Sequence, residues 1–347
     1  MYLLKKKLLF LFILSCLVLA NTSVSFAFQS TSTASTKEAL SKSYSSRNQT
    51  HYYNLKPGNF PPPKPTETFN NWWNYPLVNH TPHHNGYDKI FSQYESQRVE
   101  GKFHYGKSRK DLEGEWISIY VWSFSSENPQ WIKYGRRKTD YDGRIYFNIP
   151  EDKRLPLGIS IVRMYVEGDG TFADSYIQII RDREDFVVFD IDGTLTLNDI
   201  EFVKEFTSEL CDELYQSKAY PGAQDVVKYY VDRGYNIIYL TARPYWGSDL
   251  SRKWLIEKEF PFGILHTKYN EDTFEENDVY KTNYLNKIIN KGVHIERAYG
   301  NATTDIDAYY SAGLYSSQIF IIGENSGIAN TVPISTYLEH LETLNQN

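Results

Sequence analysis

Two carboxylates stand two residues apart in the run Val187-Val188-Phe189-Asp190-Ile191-Asp192-Gly193-Thr194-Leu195-Thr196. The apolar residues before Asp190 read as a short buried strand, so both carboxylates fall on the tight turn that follows it. That is how a phosphate-transferring aspartate is presented. A calcium-like turn would also satisfy the pentapeptide alone, but it does not explain the strand in front of it. Three further polar features fall at or just beyond expected strand ends. These are Thr241 and Ala242 in Leu240-Thr241-Ala242-Arg243-Pro244, Lys281, and Gly300-Asn301-Ala302-Thr303-Thr304-Asp305. Taken singly, Lys281 reads more readily as a solvated helix lysine, and Asp305 reads also as a helix N-cap before Ile306, a role that can coexist with a functional one.

The elements that must position these groups alternate from Asp182 onward. Strands are expected over Phe186 to Phe189, Asn236 to Leu240, Gly263 to Leu265, Ile295 to Tyr299 and Ile319 to Ile322, with helices between them at Ala223 to Asp232 and Tyr280 to Ile289. Such alternation predicts a doubly wound parallel α/β sheet over residues 182–347, and ligands of such sheets bind beyond the carboxyl ends of the strands. Before it, from Gln97 to Arg181, segments rich in β-branched and aromatic residues are separated by turns such as Asp142-Gly143. They predict an antiparallel β-sandwich. Residues 67–96 form an aromatic segment expected to wrap onto that sandwich. Within it, His80-Thr81-Pro82-His83-His84 lacks the Cys or carboxylate that would complete a recognised metal spacing, so hydrogen-bonded or solvated histidines are expected.

In chain order and strand-end position, the four polar features resemble the four motifs of the haloacid dehalogenase superfamily of phosphatases. The chemistry asks for such a set. An ionised Asp190 repels a phosphate dianion unless a cation lies between them, and Mg²⁺, a hard ion bound through few carboxylates, fits. Asp190 is then the nucleophile and a metal ligand, forming an aspartyl-phosphate. Asp192 protonates the leaving oxygen and later activates water, and is expected to titrate upward beside the other carboxylate. The resemblance implies that its backbone carbonyl also holds the metal. Thr241, Ala242 and Lys281 hold the phosphoryl oxygens, Asp305 completes the metal site, and Asn301 orients a metal-bound water.

At finer grain, Phe189-Asp190-Ile191-Asp192-Gly193-Thr194, Tyr220-Pro221-Gly222, Leu240-Thr241-Ala242-Arg243-Pro244, Tyr299-Gly300-Asn301 and Gln318-Ile319-Phe320-Ile321-Ile322-Gly323 resemble the lipin-type domain. That domain occurs in Mg²⁺-dependent phosphatidate phosphatases and at the carboxyl end of membrane-associated phosphatidylinositol transfer proteins. Upstream, Val99-Glu100-Gly101-Lys102-Phe103 and Gly168-Asp169-Gly170-Thr171 look like the β domain of the transfer proteins. The resemblance implies either a phosphatase of phosphatidic acid or a related lipid phosphate, with peripheral membrane contact, or a non-catalytic phosphatidate-binding module. A phosphatase of soluble monoesters is the third alternative. Few residues separate Thr194 from the helix near Pro221, which predicts a minimal cap and an open site. Tyr245 and Trp246, just past the Thr241 loop, either meet a lipid interface or pack.

The 347 residues allow two domains with real cores. Lys5, Lys6 and Lys7, the apolar stretch Leu8 to Ala20 and Ser25-Phe26-Ala27 read as a signal peptide over residues 1–27, with export and a mature start at Phe28. An uncleaved anchor is the alternative. Residues 28–66, rich in Ser, Thr, Asn and Pro, read as a disordered linker. Without the three leader lysines the formal charge falls from −6 to −9, so nucleic acid is not an expected partner. Cys16 lies in the leader, leaving Cys211 alone and no intrachain disulfide. No transmembrane segment is expected after the leader.

Overall fold

The computed structural model describes residues 55–64, 68–199, 201–210, 215–269 and 275–346. The expected leader, the linker up to residue 54, Cys16 and Cys211 lie outside these residues. No helix among the described residues is long and apolar enough to cross a membrane.

Residues 55–64, read from sequence as part of a linker, contain neither helix nor strand. They are nonetheless seated on the sandwich. The Phe60 ring lies 5.0 Å from Tyr120 and 5.1 Å from Trp131, and Tyr165 donates to the Pro63 carbonyl at 3.1 Å. A single aromatic side chain with a ready slot can anchor a stretch whose composition gives no core of its own.

The aromatic segment divides into two kinds of surface. Trp72–Asn79 is a 3₁₀ helix, fixed because the buried Glu115 carboxylate accepts the backbone N–H groups of Asn70 and Asn71 and the side-chain amide of Asn74. Phe69 and Leu77 enter the sandwich core, while Trp72 remains 73% and Trp73 52% exposed. The segment ends in strand β1 (Lys89–Ser92), followed by β2 (Arg98–Lys102), β3 (Trp116–Ser123), β4 (Ile132–Lys138), β5 (Arg144–Asn148), β6 (Gly158–Val166) and β7 (Phe172–Ile180). One sheet has the order β1-β7-β6-β3-β4, and a second places β2 between Asn85–Gly86 and β5. Within residues 97–181 the strands of both sheets pair antiparallel as expected, and the strand β1 that the aromatic segment adds runs parallel to β7. The pairing sets residues 89–92 against 177–180, a separation that local periodicity does not reveal.

The second domain contains β8 (Glu184–Phe189), α1 (Glu201–Leu210), α2 (Ala223–Asp232), β9 (Asn236–Pro244), α3 (Ser248–Glu257), β10 (Ile264–Lys268), α4 (Asn277–Ile289), β11 (Val293–Gly300), α5 (Thr303–Ser311), β12 (Ile319–Ile322), β13 (Val332–Ile334) and α6 (Tyr337–Gln346). Its parallel sheet has the order β10-β9-β8-β11-β12-β13. Successive strand residues face opposite sides, and both sides are covered by helices, which is why these strands read as continuous apolar runs. Val187, Phe189, Tyr239 and Tyr299 pack with α2 and α6 residues on one face. Phe186, Val188, Leu240 and Ala298 pack with α4 and α5 residues on the other. From β8 the chain moves outward to β9 and β10, then returns to β11 on the opposite side. The carboxyl end of β8 is therefore the switch point where such sheets bind ligands.

Candidate active site

Asp190 follows the last residue of β8, and the turn after it is drawn around the Ile191 carbonyl, which accepts the N–H groups of Thr194, Leu195 and Thr196. Gly193 has φ +70°, and a Cβ there would come within 2.2 Å of Asn301 Nδ2 and Asp199 Oδ1. Only glycine allows the β8 turn to approach the β11 loop this closely. Buried Tyr337 fastens the turn by donating to the Thr194 carbonyl at 3.0 Å.

Lys281, in the second turn of α4, is the hub of the site. Its ammonium donates to Asp190 Oδ1 at 2.6 Å and to Asp305 Oδ1 at 2.5 Å, and the three residues are 3%, 4% and 1% exposed. A solvated lysine is thereby excluded. Asp305 combines two roles. Its Oδ2 accepts the backbone N–H groups of Asn301 and Ala302, both at 3.0 Å, capping α5, while Oδ1 holds Lys281. Two buried carboxylates share one ammonium, which leaves net negative charge. Burial, reinforced by Asp305 and Asp192 and opposed by Lys281, pushes the Asp190 pKa up to about 7. For Lys281, burial opposes the charge but Asp190 and Asp305 outweigh it, so its pKa is raised.

Asp192 faces the other way. Arg243 lies across its carboxylate, with Nε 2.9 Å from Oδ2 and Nη2 2.8 Å from Oδ1, and Thr241 donates to Oδ2 at 3.1 Å. Arg243 is itself buried, donating to Ser251 Oγ at 2.9 Å and lying 4.7 Å over the Phe202 ring of α1. Ala242 sits half-buried between Thr241 and Arg243. Thr194 Oγ1 lies 2.9 Å from Asp190 Oδ2 and 3.1 Å from Asn301 Oδ1, and Asn301 Nδ2 donates to Asp199 Oδ1 at 3.0 Å.

Asp190, Lys281, Asp305, Asn301, Asp192 and Thr241 are thus brought to one sheet edge, together with three residues the sequence reading did not assign: Arg243, Thr194 and Asp199. Arg243 and Thr194 stand inside the quoted motifs, whereas Asp199 carries no local signal. Both Asp305 oxygens are engaged by Lys281 and the α5 cap, and the Asp192 side chain is turned to Arg243. Among the described residues no three His, Cys, Asp or Glu side chains group as a metal cage. Asp190 Oδ2 and Asn301 Oδ1 lie on either side of Thr194 Oγ1, which is within hydrogen-bond distance of both. Four carboxylates, those of Asp190, Asp192, Asp199 and Asp305, face two cations here, an imbalance suited to a hard divalent ion.

The other candidates fall away from the chemistry. His83 and His84 are buried and hydrogen-bonded, His83 Nδ1 to Asp249 at 3.3 Å and His84 Nε2 to Thr171 at 2.8 Å, whereas His80 is exposed. Tyr245 and Trp246 pack: Trp246 lies 4.4 Å from Phe206 of α1, and Tyr245 takes Arg144 over its ring at 5.3 Å. Two clefts of about 290 and 650 Å³ lie between the domains, and neither is lined by Asp190, Asp192 or Lys281. The candidate site lies at the carboxyl end of the sheet, with the Asp190, Lys281, Asp305 and Thr241 side chains buried and α1 beside it.

Comparison with known proteins matches residues 187–323 to the LNS2 domain of PITM 1-3 and residues 82–179 to the β-sandwich domain of PITM 1-3. The human membrane-associated phosphatidylinositol transfer protein 2 is 31% identical over 267 residues, 76% of this chain and 19% of the relative. The Drosophila melanogaster protein retinal degeneration B is 31% identical over 250 residues, covering 72% and 19%. Mouse membrane-associated phosphatidylinositol transfer protein 3 is 32% identical over 253 residues, covering 72% and 24%. The matched region spans 19% to 24% of the length of these relatives.

Proposed function

Proceeding from a β-sandwich domain followed by an LNS2 domain, we propose that this chain is a Mg²⁺-dependent phosphomonoesterase acting on phosphatidic acid or a related lipid phosphate. The observation that carries the reading is the Asp190–Lys281–Asp305 cluster, a buried carboxylate held by a buried ammonium at a strand end, beside Asp192 on the same turn. In the first step an Asp190 oxygen attacks phosphorus, the bond from phosphorus to the alcohol oxygen breaks, and Asp192 gives that oxygen its proton. In the second, water loses a proton to Asp192 and attacks the same phosphorus, breaking the bond to Asp190 and restoring both carboxyl groups. Lys281 and Thr241 hold the phosphoryl oxygens, and Asp305 fixes Lys281. For Asp192 to act, Arg243 and Thr241 exchange it for the phosphoryl group, which offers a planar guanidinium an equivalent fork of acceptors. Asp190, the Asp192 carbonyl and Asn301 would hold Mg²⁺. When bound, the ion neutralises charge between the nucleophile and the phosphate.

A lipid substrate is supported by the exposed Trp72 and Trp73, amphipathic rings of the kind that favour a bilayer interface. It is also consistent with the phosphatidylinositol transfer for which the relatives are named. The protein is read as exported on its leader, with amino-terminal sequencing of secreted material expected to begin at Phe28; protein retained wholly inside the cell with its leader intact would overturn export. The engagement of the Asp192 carboxylate by Arg243 favours a second reading, a phosphatidate-recognition module without turnover. The deciding experiment measures phosphate release from phosphatidate in mixed micelles and from soluble monoesters, with Mg²⁺ and with chelator. Mg²⁺-dependent release from phosphatidate, lost in Asp190→Asn, is expected. Binding without release from any monoester assigns the second reading, and release from soluble esters alone overturns the lipid substrate.

A further inference from the structure

Residues 55–64 lie on a face of the sandwich that strand alternation makes aromatic. In β3, Ile117, Ile119 and Val121 enter the core, so Ser118, Tyr120 and Trp122 turn to the opposite side. Beside them on β6, Arg163 stands opposite Tyr120 and Tyr165 opposite Ser118. Trp131, just ahead of β4, leans on Trp122 with ring centroids 5.8 Å apart. Tyr120, Trp122, Trp131 and Tyr165 thus line a trough on the outer face. Arg163 stiffens it, because both Asp174 oxygens hold its guanidinium, at 2.8 and 2.6 Å, while that group lies 5.1 Å from the Trp131 ring.

The segment in this trough has the form of a bound peptide. From Lys56 to Lys64, every third residue, Pro57, Phe60 and Pro63, is partly buried and the others are exposed. That spacing suits a polyproline II ribbon, which turns once in about three residues and leaves its carbonyls without internal partners. The consecutive prolines Pro61, Pro62 and Pro63 favour the same backbone. The trough supplies donors: Trp131 Nε1 to the Gly58 carbonyl at 2.9 Å and the Tyr165 hydroxyl to the Pro63 carbonyl at 3.1 Å. Phe60 fills it, its ring 5.8 Å from Tyr165 and 5.1 Å from the Arg163 guanidinium. Gly58 passes so close over Trp122 that a Cβ would meet the indole at 2.4 Å. Aromatic-lined grooves are how folded domains take up proline-rich chains. None of residues 55–64 belongs to the sandwich core, so the segment can leave without unfolding the domain.

We propose that this trough is a receptor site for proline-rich segments bearing an aromatic residue, that residues 57–63 occupy it in cis, and that an exposed segment of that chemistry on a partner protein exchanges for them. The test titrates a synthetic peptide spanning residues 56–64, which has no tryptophan, into the full chain and into its Phe60→Ala and Gly58→Ala variants, following tryptophan emission. Phe60→Ala removes the anchor of the tethered segment, and Gly58→Ala lifts it off Trp122. In the parent that segment competes at an effective concentration of about 1 mM or more, so both variants should bind the peptide at least about tenfold more tightly than the parent. Replacing the peptide's phenylalanine by alanine should weaken binding by about tenfold, and adding Trp131→Phe to Phe60→Ala, which keeps a ring but removes the donor, by about fivefold. Gly58 is exposed, so Gly58→Ala keeps the test decisive if Phe60→Ala disturbs folding. No saturable change in either variant by about 5 mM peptide would overturn the proposal. So would equal affinity in parent and variants, which would place the peptide elsewhere, and so would parent dimers that Phe60→Ala dissolves, which would give the trough to a second copy.

Discussion

Replacing the proposed nucleophile should make the metal-free protein more stable, and only above acidic pH. Asp190 is buried with a pKa of about 7 against an ordinary 3.8. Because the folded pKa is raised, its favourable contribution is complete below the unfolded value and is lost as pH rises through about 7. By pH 8 the ionised carboxylate costs the fold roughly 4 kcal/mol, at about 1.36 kcal/mol per pKa unit. Asp190→Asn removes that cost but weakens the charge-assisted bonds from Lys281 and Thr194, which offsets about half of it. The net gain of about 1 to 3 kcal/mol corresponds to a rise in Tm of roughly 3 to 8 °C at pH 8. Lys281 stays charged throughout this window because its own pKa is raised. Thermal unfolding of both proteins in chelator, from pH 4.5 to 8, should show the gap opening between about pH 4 and 7. A variant less stable than the parent at pH 8, or a gap independent of pH, would refute the electrostatic reasoning.

Removing the ammonium should act in the opposite direction. Lys281→Met leaves Asp190 and Asp305 facing each other without a cation, and about 3 to 5 kcal/mol of stability should be lost in chemical denaturation at pH 7.5. Asp192→Asn deletes the proposed proton carrier and leaves the buried Arg243 guanidinium only one acceptor oxygen; phosphate release should fall on the order of 10² to 10⁴-fold, with a lowered Tm. Trp72→Ala combined with Trp73→Ala should reduce co-sedimentation with phosphatidate-containing vesicles by about tenfold or more, without loss of stability, since both rings are exposed.

The parallel sheet was legible because strands buried on both faces leave continuous apolar runs; Ile319–Ile322 and helix Ala223–Asp232 coincide with the segments read from sequence. Asp190, Asp192 and Thr241 were legible because their residue types fall at strand ends, whereas Lys281 and Asp305 lie in helices and were legible through the order of motifs that the chain resembles. What was not legible depends on distant partners. Arg243 closes on Asp192 only because β9 lies beside β8, and Asp199 reaches Asn301 only because Gly193 lets two loops meet. Strand Lys89–Ser92 is hidden in an aromatic stretch until it pairs with Phe172–Ile180. Aromatic composition likewise does not say which rings face outward: Tyr245 and Trp246 pack, while Trp72 and Trp73 remain exposed.

The most direct test of phosphoryl transfer to this site is chemical trapping. The full chain is quenched in acid while turning over phosphatidate with Mg²⁺, reduced with borohydride and mapped by peptide mass spectrometry. Reduction converts an acyl phosphate side chain to an alcohol, so the account predicts homoserine at position 190 in a fraction of the chains and nowhere in unreacted protein. Phosphate release with Asp190 recovered intact in every peptide would contradict it.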